Sequence, residues 1–288
     1  DAQESRGLGD VYKRQDSVDT RPSQLRLHHV SKTFATRGAD RPTLVIDDVS
    51  LAIEAGEFIC VVGPSGCGKS TILNMIAGLE RPSGGTVEKN GVPVAGPGPD
   101  RGVMFQDYAL YPWQTVEQNI GFGLKYGTPG AGLSPRQRQE RVAHFIERVS
   151  LQGSEKKYPH QLSGGMRQRV ALARLLANEP DVLLMDEPLG ALDAQTRVIL
   201  QMELLRIWGE TLPRAQRKTA LFITHDIDEA VFLADRVVVM SSHPGRIVAQ
   251  IEIDLPRSRG AHTRASPRFG QLTAQIWDLI RDKALAAI

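Results

Sequence analysis

The chain has 288 residues, of which 41% are hydrophobic and 24% charged, an ordinary globular composition that excludes a wholly disordered protein. The 35 Lys and Arg against 33 Asp and Glu leave a formal charge of +2, which gives no sign of a nucleic-acid partner. Two cysteines, Cys60 and Cys67, are too few for a disulfide framework and favour a reducing, cytosolic setting. No apolar run approaches the roughly 20 residues that span a bilayer, and no secretory signal pattern opens the sequence. The sequence therefore predicts a soluble protein, which leaves room for a membrane-embedded partner.

The N-terminal part changes from polar to strand-like. Residues 1–22 lack helical or strand periodicity, and we predict a disordered extension there, in which residues 6–15 look like translated adapter sequence. Alternating apolar residues then predict strands over residues 25–30 and 44–53. The continuous apolar run Phe58–Val62 predicts a strand that is buried on both faces.

The middle of the chain has helical apolar spacing, and strand character returns in three later apolar runs. We therefore predict an α/β fold whose core, residues 23–105 and 166–245, is split by a mainly helical insertion at 106–165. Residues 246–288 follow as a short strand and helix tail, which leaves no room for a separate regulatory domain.

Residues 63–70, Gly-Pro-Ser-Gly-Cys-Gly-Lys-Ser, fit the phosphate-loop pattern G-x-x-x-x-G-K-[ST]. The glycines let the backbone turn its N–H groups toward phosphates, and the helix that follows adds the positive end of its dipole. Lys69 would supply charge to the β- and γ-phosphates, and Ser70 a hydroxyl ligand to Mg²⁺. The alternative is a Gly-rich turn without a ligand, but the strand before it and the helix after it favour phosphate binding. The predicted nucleotide-binding residues here are Gly63, Pro64, Ser65, Gly66, Cys67, Gly68, Lys69, Ser70 and Thr71.

A second motif is the acidic pair Asp186 and Glu187, at the carboxyl end of an apolar run. In α/β sheets ligands bind at this end of the strands. Asp186 is placed to hold Mg²⁺ through water, whereas Glu187 faces the other way and can polarise an attacking water. General-base assistance of this kind is worth roughly 10²–10⁴ in rate. The alternative, a pair that only caps a helix, becomes less attractive beside a phosphate loop.

A third motif, Ser163-Gly164-Gly165, precedes a predicted helix that Pro180 ends. It presents a hydroxyl and free N–H groups, which makes it a second anion site. Taken alone, this is an ordinary helix cap with a solvated basic face. A chain with one set of strands and two anion sites needs an explanation.

Several motifs follow one another along the chain, at residues 63–70, Gln106, residues 162–168, 182–187 and 190–193, and His225. Their order and spacing resemble those of the ATP-binding subunit of ABC transporters, as a single ABC-type ATP-binding domain over residues 23–280. The resemblance implies a P-loop NTPase core with a helical insertion subdomain and an antiparallel β N-terminal part. A finer likeness, strongest over residues 96–122, is to the nitrate, sulfonate and taurine importer type.

The resemblance also explains the two anion sites. Subunits of this family dimerise head to tail, so Ser163, Gly164 and Gly165 of one copy would close over the γ-phosphate held by the phosphate loop of the other. ATP and Mg²⁺ would then be shared between the copies. Asp193 would lie across the dimer contact.

Three further residues receive roles by resemblance. Gln106 would reach Mg²⁺ and the water, and His225 would contact the γ-phosphate. Phe34 matches the family position that stacks on adenine, with a plain core residue as the alternative. Cys67, inside the phosphate loop, is either an alkylation-sensitive thiol or a small filler.

The resemblance implies an ATPase that drives import of a small anion or organosulfur compound through a separate transmembrane permease. Such a subunit sits peripherally at the cytoplasmic face of the inner membrane, has an external substrate-binding protein as an indirect partner, and binds no nucleic acid. Tyr108, Tyr111, Pro112 and Trp113 suit a groove for a permease helix, or equally the insertion's own core.

Two other functions remain as alternatives. One is a soluble ABC-type ATPase that acts on DNA or ribosomes, although such proteins usually carry two cassettes or a long coiled-coil insertion. The other is a nucleotide-binding regulator without turnover, which the presence of Glu187 and His225 argues against.

Overall fold

The computed structural model of the protein describes residues 23–35, 42–127, 132–190 and 192–285. The predicted disordered extension, residues 1–22, lies outside these ranges, as does Ala191 of the motif at 190–193. The described ranges contain two β-sheets and eight α-helices.

The strands and helices alternate along most of the described chain after two long N-terminal strands. The strands are β1 (Ser23–Phe34), β2 (Thr43–Glu54), β3 (Phe58–Val62), β4 (Gly84–Lys89), β5 (Val92–Pro93), β6 (Arg101–Met104), β7 (Val182–Asp186), β8 (Thr219–Ile223), β9 (Arg236–Met240) and β10 (Ile247–Glu252). The helices are α1 (Lys69–Ala77), α2 (Val116–Tyr126), α3 (Pro135–Arg148), α4 (Gly164–Ala177), α5 (Ala194–Trp208), α6 (Ile227–Leu233), α7 (Ala261–Arg264) and α8 (Pro267–Leu285). Short 3₁₀ turns lie at Pro159–Gln161 and Arg214–Gln216.

The larger sheet has six strands in the order β10-β9-β3-β8-β7-β6. β10 is antiparallel to β9, and the other neighbours are parallel. Every residue of β3 and β8 is buried, because these central strands are covered on both faces. Since parallel strands end at one edge of the sheet, the segments that follow β3, β8, β7 and β6 lie side by side there.

The smaller sheet is antiparallel throughout, in the order β2-β1-β4-β5. Its inward side chains, among them Leu27 and Ile46, share one hydrophobic cluster with Leu73 of α1 and Val61 of β3. The sheet therefore covers α1 on one face of the larger sheet. The predicted α/β class with an antiparallel N-terminal part is confirmed.

The helices α2 and α3 pack on α4 through a separate cluster that includes Ile120, Ile146 and Val170. The opposite side of α4 packs on the larger sheet, through residues such as Leu172 and Leu175. One helix thus belongs to both hydrophobic clusters, so the insertion and the sheet share α4.

The C-terminal tail covers the larger sheet on the side away from α1. Leu272 and Ile276 of α8 are buried in the same cluster as Phe232 of α6, and β10 forms the edge of the sheet. No helix in the described part of the chain is long and apolar enough to cross a membrane.

Candidate active site

The phosphate loop, residues 63–70, joins β3 to the first turn of α1. Gly68 precedes α1 in the left-handed conformation (φ 89°), and a Cβ there would lie 2.3 Å from Cδ1 of Ile46. Only glycine fits such a position without displacing its neighbour. No side chain caps the N-terminus of α1, so its first N–H groups are left for an anion.

The Lys69 side chain is buried beneath the loop. Its Nζ donates hydrogen bonds to the carbonyl oxygens of Gly63 (2.8 Å) and Pro64 (2.9 Å). The Sγ of Cys67 lies 3.8 Å from this Nζ, and burial raises the pKa of the thiol. A buried, protonated thiol is a poor nucleophile, which favours the small filler over the alkylation-sensitive thiol.

Asp186 ends β7 and lies half-buried beside Ser70 of α1. Burial raises the pKa of the Asp186 carboxyl, and the hydrogen bond with the Ser70 side chain acts in the opposite direction. Within the described residues, no group of three or more His, Cys, Asp or Glu side chains could hold a metal ion by itself. A carboxylate beside a hydroxyl nevertheless supplies the hard oxygen ligands that suit Mg²⁺ when phosphate oxygens complete the coordination.

Glu187 points away from Asp186 and meets two other predicted site residues. Its Oε2 accepts a hydrogen bond from Nε2 of Gln106 (3.3 Å) and lies 3.3 Å from Nδ1 of His225. Glu187 adopts a left-handed conformation (φ 43°), and its N–H donates to the carbonyl oxygen of Ile223 at 3.0 Å. Such strained backbone clusters at functional sites, and here it turns the carboxylate toward the segments after β6 and β8.

The structure therefore brings together the predicted catalytic residues Glu187, Gln106 and His225, and separately the predicted metal ligands Ser70 and Asp186. Gln106, predicted as a third metal ligand, directs its amide nitrogen to Glu187. The His225 side chain is 63% exposed, so its position depends on the backbone that carries it rather than on packing.

Phe34 ends β1 and is 36% exposed, so it is not the core residue that was the alternative. The ammonium of Lys32 lies 4.8 Å from the centre of the ring. An exposed ring has a face that can stack on a base.

The motif Ser163-Gly164-Gly165 stands apart from the phosphate loop of its own chain. The hydroxyl of Ser163 caps α4 by accepting from the N–H of Met166 (3.3 Å). A Cβ on Gly164 would meet no atom within 4 Å, whereas one on Gly165 would lie 3.0 Å from Cγ2 of Thr196. The N-terminus of α4 is thus open on the side of Gly164 and lies against the start of α5 on the side of Gly165.

Asp193, predicted at the dimer contact, is exposed and caps α5. Its Oδ1 accepts a hydrogen bond from the N–H of Thr196 at 2.9 Å, and the hydrogen bonding to Thr196 lowers the pKa of the carboxyl. The residue has a structural role in its own chain and remains accessible to a second copy.

Sequence reasoning missed Arg174 of α4. Its guanidinium donates to the carbonyl oxygens of Tyr108 (2.7 Å) and Ala109 (2.6 Å), both in the left-handed conformation just after Gln106. Tyr108 is buried in the cluster of the larger sheet, and Tyr111 lies under the guanidinium. The available signal was an arginine among the buried apolar residues of α4, which has to find acceptors nearby.

The sequence matches the ABC transporter family over residues 46–190. It is 45% identical over 279 residues to an uncharacterized ABC transporter ATP-binding protein, MJ0412, of Methanocaldococcus jannaschii, covering 97% of this chain and 98% of the relative. The chain belongs to the ABC transporter ATP-binding family. Identity is 48% over 260 residues to the nitrate import ATP-binding protein NrtD of Synechococcus elongatus, covering 89% of this chain and 91% of the relative. Identity is 47% over 234 residues to the aliphatic sulfonates import ATP-binding protein SsuB of Bacillus licheniformis, covering 81% of this chain and 86% of the relative.

The fold agrees with that membership. The dimeric post-hydrolysis state of the ATP-binding cassette MJ0796, bound to ADP and Pi, matches with a TM-score of 0.70 and 30% identity, over 80% of this chain and 98% of that chain. As a member of this family, the chain is an ABC-type ATPase that binds ATP.

Proposed function

We propose that this ATPase is the energising subunit of an import system for a small anion or organosulfur compound, acting on a separate permease. The relatives named for nitrate import and for aliphatic sulfonates import support this substrate class. The observation that carries the hydrolytic part is the meeting of Gln106 and His225 at one carboxylate oxygen of Glu187.

In the proposed reaction Glu187 is the general base. Its carboxylate accepts a proton from the attacking water, while the Gln106 amide orients that water. His225 contacts the γ-phosphate and keeps it in line with the water. Lys69 and the N–H groups at the start of α1 bind the phosphates and balance their charge.

Mg²⁺ would be held by Ser70 and Asp186, with Gln106 as a further ligand. It would neutralise charge on the phosphate oxygens. Burial raises the pKa of the Asp186 carboxyl, and a bound cation would favour its ionised form.

The functional unit is a head-to-tail dimer, in which Ser163, Gly164 and Gly165 bind the γ-phosphate held by the other copy. The first turn of α4 carries no acidic residue, so its N-terminus offers an uncompensated positive end to a phosphate. The dimeric state of the MJ0796 cassette supports a dimer as the functional unit.

The permease would dock on an aromatic row formed by Trp113, Tyr111, Phe122 and Tyr126. Successive ring centroids lie 5.8, 4.3 and 5.0 Å apart. Trp113 and Tyr126 are 71% and 64% exposed, and no member belongs to the buried cluster of the insertion. The row follows the Gln106 segment, so a permease helix bound there would sit beside the nucleotide site. A permease bound to this surface would hold the protein peripherally at the cytoplasmic face of the inner membrane.

Glu187→Gln tests the hydrolytic step. Without a base, turnover should fall by about 10²–10⁴, while ATP still produces a dimer on a sizing column. Glu140→Gln, which removes an exposed carboxylate of α3, is the matched control and should hydrolyse ATP normally. A fully active Glu187→Gln protein would contradict the assignment.

A pull-down from detergent-solubilised membranes of the host tests the transport step. The tagged protein should recover a stoichiometric integral membrane protein, and Trp113→Ala should lose it. Tyr158→Ala, an exposed aromatic outside the aromatic row, is the control. Recovery of soluble, nucleic-acid-associated proteins alone would favour the soluble ATPase instead and leave the hydrolytic step intact.

A further inference from the structure

The helix α6 carries a buried carboxylate that the proposed reaction does not use. Glu229 is only 4% exposed, and burial raises the pKa of its carboxyl. Oε1 accepts from Nε2 of Gln201 (2.9 Å) and Oε2 accepts from Oγ1 of Thr224 (2.6 Å). A buried acid destabilises the fold unless both of its oxygens find hydrogen-bond donors. The presence of this acid and its two donors in the protein interior therefore needs an explanation.

The inner end of this arrangement reaches the backbone on both sides of His225. Thr224 is buried, and its hydroxyl accepts from the N–H of Asp226 (3.0 Å) while donating to Glu229. The Asp226 side chain in turn accepts from the N–H of Glu229 at 3.0 Å. Among the described residues, Glu187 is the only hydrogen-bond partner of the imidazole. The Thr224–Glu229 pair therefore holds the segment that aims an otherwise exposed ring.

The outer end reaches the C-terminal tail. Oε1 of Gln201 accepts from Nη2 of Arg264 (2.5 Å), the last residue of α7. The Arg264 guanidinium lies 4.2 Å from the ring centre of Phe232 and 6.0 Å from that of Phe269, which fixes it between α6 and α8. An unbroken series of hydrogen bonds runs from the tail through α5 and α6 to the His225 segment.

We propose that Glu229 is a positioning residue for His225, and that Arg264 couples the C-terminal tail to hydrolysis through Gln201 and Glu229. The inference rests on the proposed role of His225 at the γ-phosphate. It assigns the tail a function in turnover beyond covering the sheet.

Glu229→Gln is the sharpest variant, because it keeps the shape of the side chain but leaves one acceptor oxygen for two donors. A displaced His225 should lower kcat for ATP hydrolysis about tenfold, since small misplacements of a reacting group are costly. The KM for ATP should stay within about twofold, because the phosphate loop and Phe34 are untouched.

A double-mutant cycle separates positioning from general damage. In the His225→Ala protein, measured by slow phosphate release, Glu229→Gln should cause no additional loss. An equal loss in both backgrounds, or a wild-type kcat for Glu229→Gln, would overturn the inference. A His225→Ala protein as active as wild type would overturn the proposed role of His225 instead.

Two further pairs of variants test the proposal if the Glu229→Gln protein fails to fold. The Thr224→Val protein should lose activity, whereas the Thr224→Ser protein should keep it, because serine retains the hydroxyl. Arg264→Gln should lower kcat about threefold, whereas Arg268→Gln, which removes a tail arginine that pairs with exposed Asp254, should not. Equal activities of the Val and Ser variants, or of the two tail variants, would contradict the coupling.

Discussion

The phosphate loop and the N-terminus of α4 are both starts of helices that suit an anion, but their surroundings differ. The loop lies at the edge where the parallel strands of the larger sheet end, and side chains that follow β6, β7 and β8 meet at the same edge. Ser70 meets Asp186, and Glu187 meets Gln106 and His225. Among the described residues, by contrast, no atom lies within 4 Å of the position that a Cβ on Gly164 would take.

The difference follows from where each helix start lies in the sheet topology. A strand order of β3-β8-β7-β6 aligns four carboxyl ends, so one chain assembles a cluster of polar groups without long loops. The N-terminus of α4 lies outside this edge, between the insertion and the start of α5. One site is assembled within the chain, whereas the other, under the proposed function, completes the nucleotide site of a second copy.

The largest predicted effect tests this division. Gly164→Asp places a negative charge where the γ-phosphate bound by the other copy would lie. Lys69→Ala removes a positive charge from the phosphate loop. Each variant alone should lower the rate of ATP hydrolysis at least about 10²-fold. A 1:1 mixture should regain roughly a quarter of wild-type activity, because half of the dimers are mixed and each mixed dimer has one intact site. The rates are measured as phosphate release from each variant alone and from the mixture.

Gly270→Asp is the matched control for this experiment, because it adds the same charge to the first turn of α8 at a position that is equally open. It should hydrolyse ATP at the wild-type rate. Failure of the mixture to gain any activity over the two separate variants would mean that the two anion sites do not complete one another.

Much of the first site could be predicted from the sequence, because its signals are local. The apolar run Phe58–Val62 is a strand buried on both faces, as its composition predicts. The direction of the Glu187 side chain depends instead on a left-handed backbone conformation after β7, which periodicity does not predict. The convergence on Glu187 is not local: Gln106 and His225 lie 81 and 38 residues away along the chain. Strand order decides which ends become neighbours, and single-chain periodicity carries no information on it.

Charged residues that a helix holds against the protein interior were harder to predict. Arg174 and Glu229 lie among apolar neighbours on α4 and α6, where a charge is usually taken to face solvent. Their partners are backbone carbonyls of the Gln106 segment and side chains of Thr224 and Gln201. Those partners come from other elements, so only the packed structure identifies them.

A smaller effect is expected at Arg174, which links α4 to the segment that follows Gln106. Arg174 holds two carbonyl oxygens after Gln106 with the fork of its guanidinium, and a lysine can reach only one. Arg174→Lys should lower kcat by about three- to tenfold, because the Gln106 amide then loses its fixed position. Arg169→Lys is the control, since Arg169 also lies on α4 and donates to two backbone carbonyls, those of Val149 and Ser150 in the insertion. Equal kcat values for the two variants would contradict a link between α4 and the Gln106 segment.

The smallest effect belongs to the adenine end of the first site. Phe34→Ala should weaken ATP binding several-fold, because ring stacking contributes about 1 kcal/mol, and Phe34→Tyr should bind normally because it keeps the ring. Binding of inorganic tripolyphosphate, which has no base to stack, should be equal in all three proteins. Titration calorimetry with both ligands separates the contribution of the base from that of the phosphates.

Equal losses of affinity for ATP and for tripolyphosphate in the Phe34→Ala protein would mean that Phe34 shapes the phosphate loop. An unchanged affinity for ATP would leave the exposed ring without a nucleotide contact. A selective loss for ATP would place the base on β1 and the phosphates on α1, so that the antiparallel sheet and the parallel sheet each bind one end of the same nucleotide.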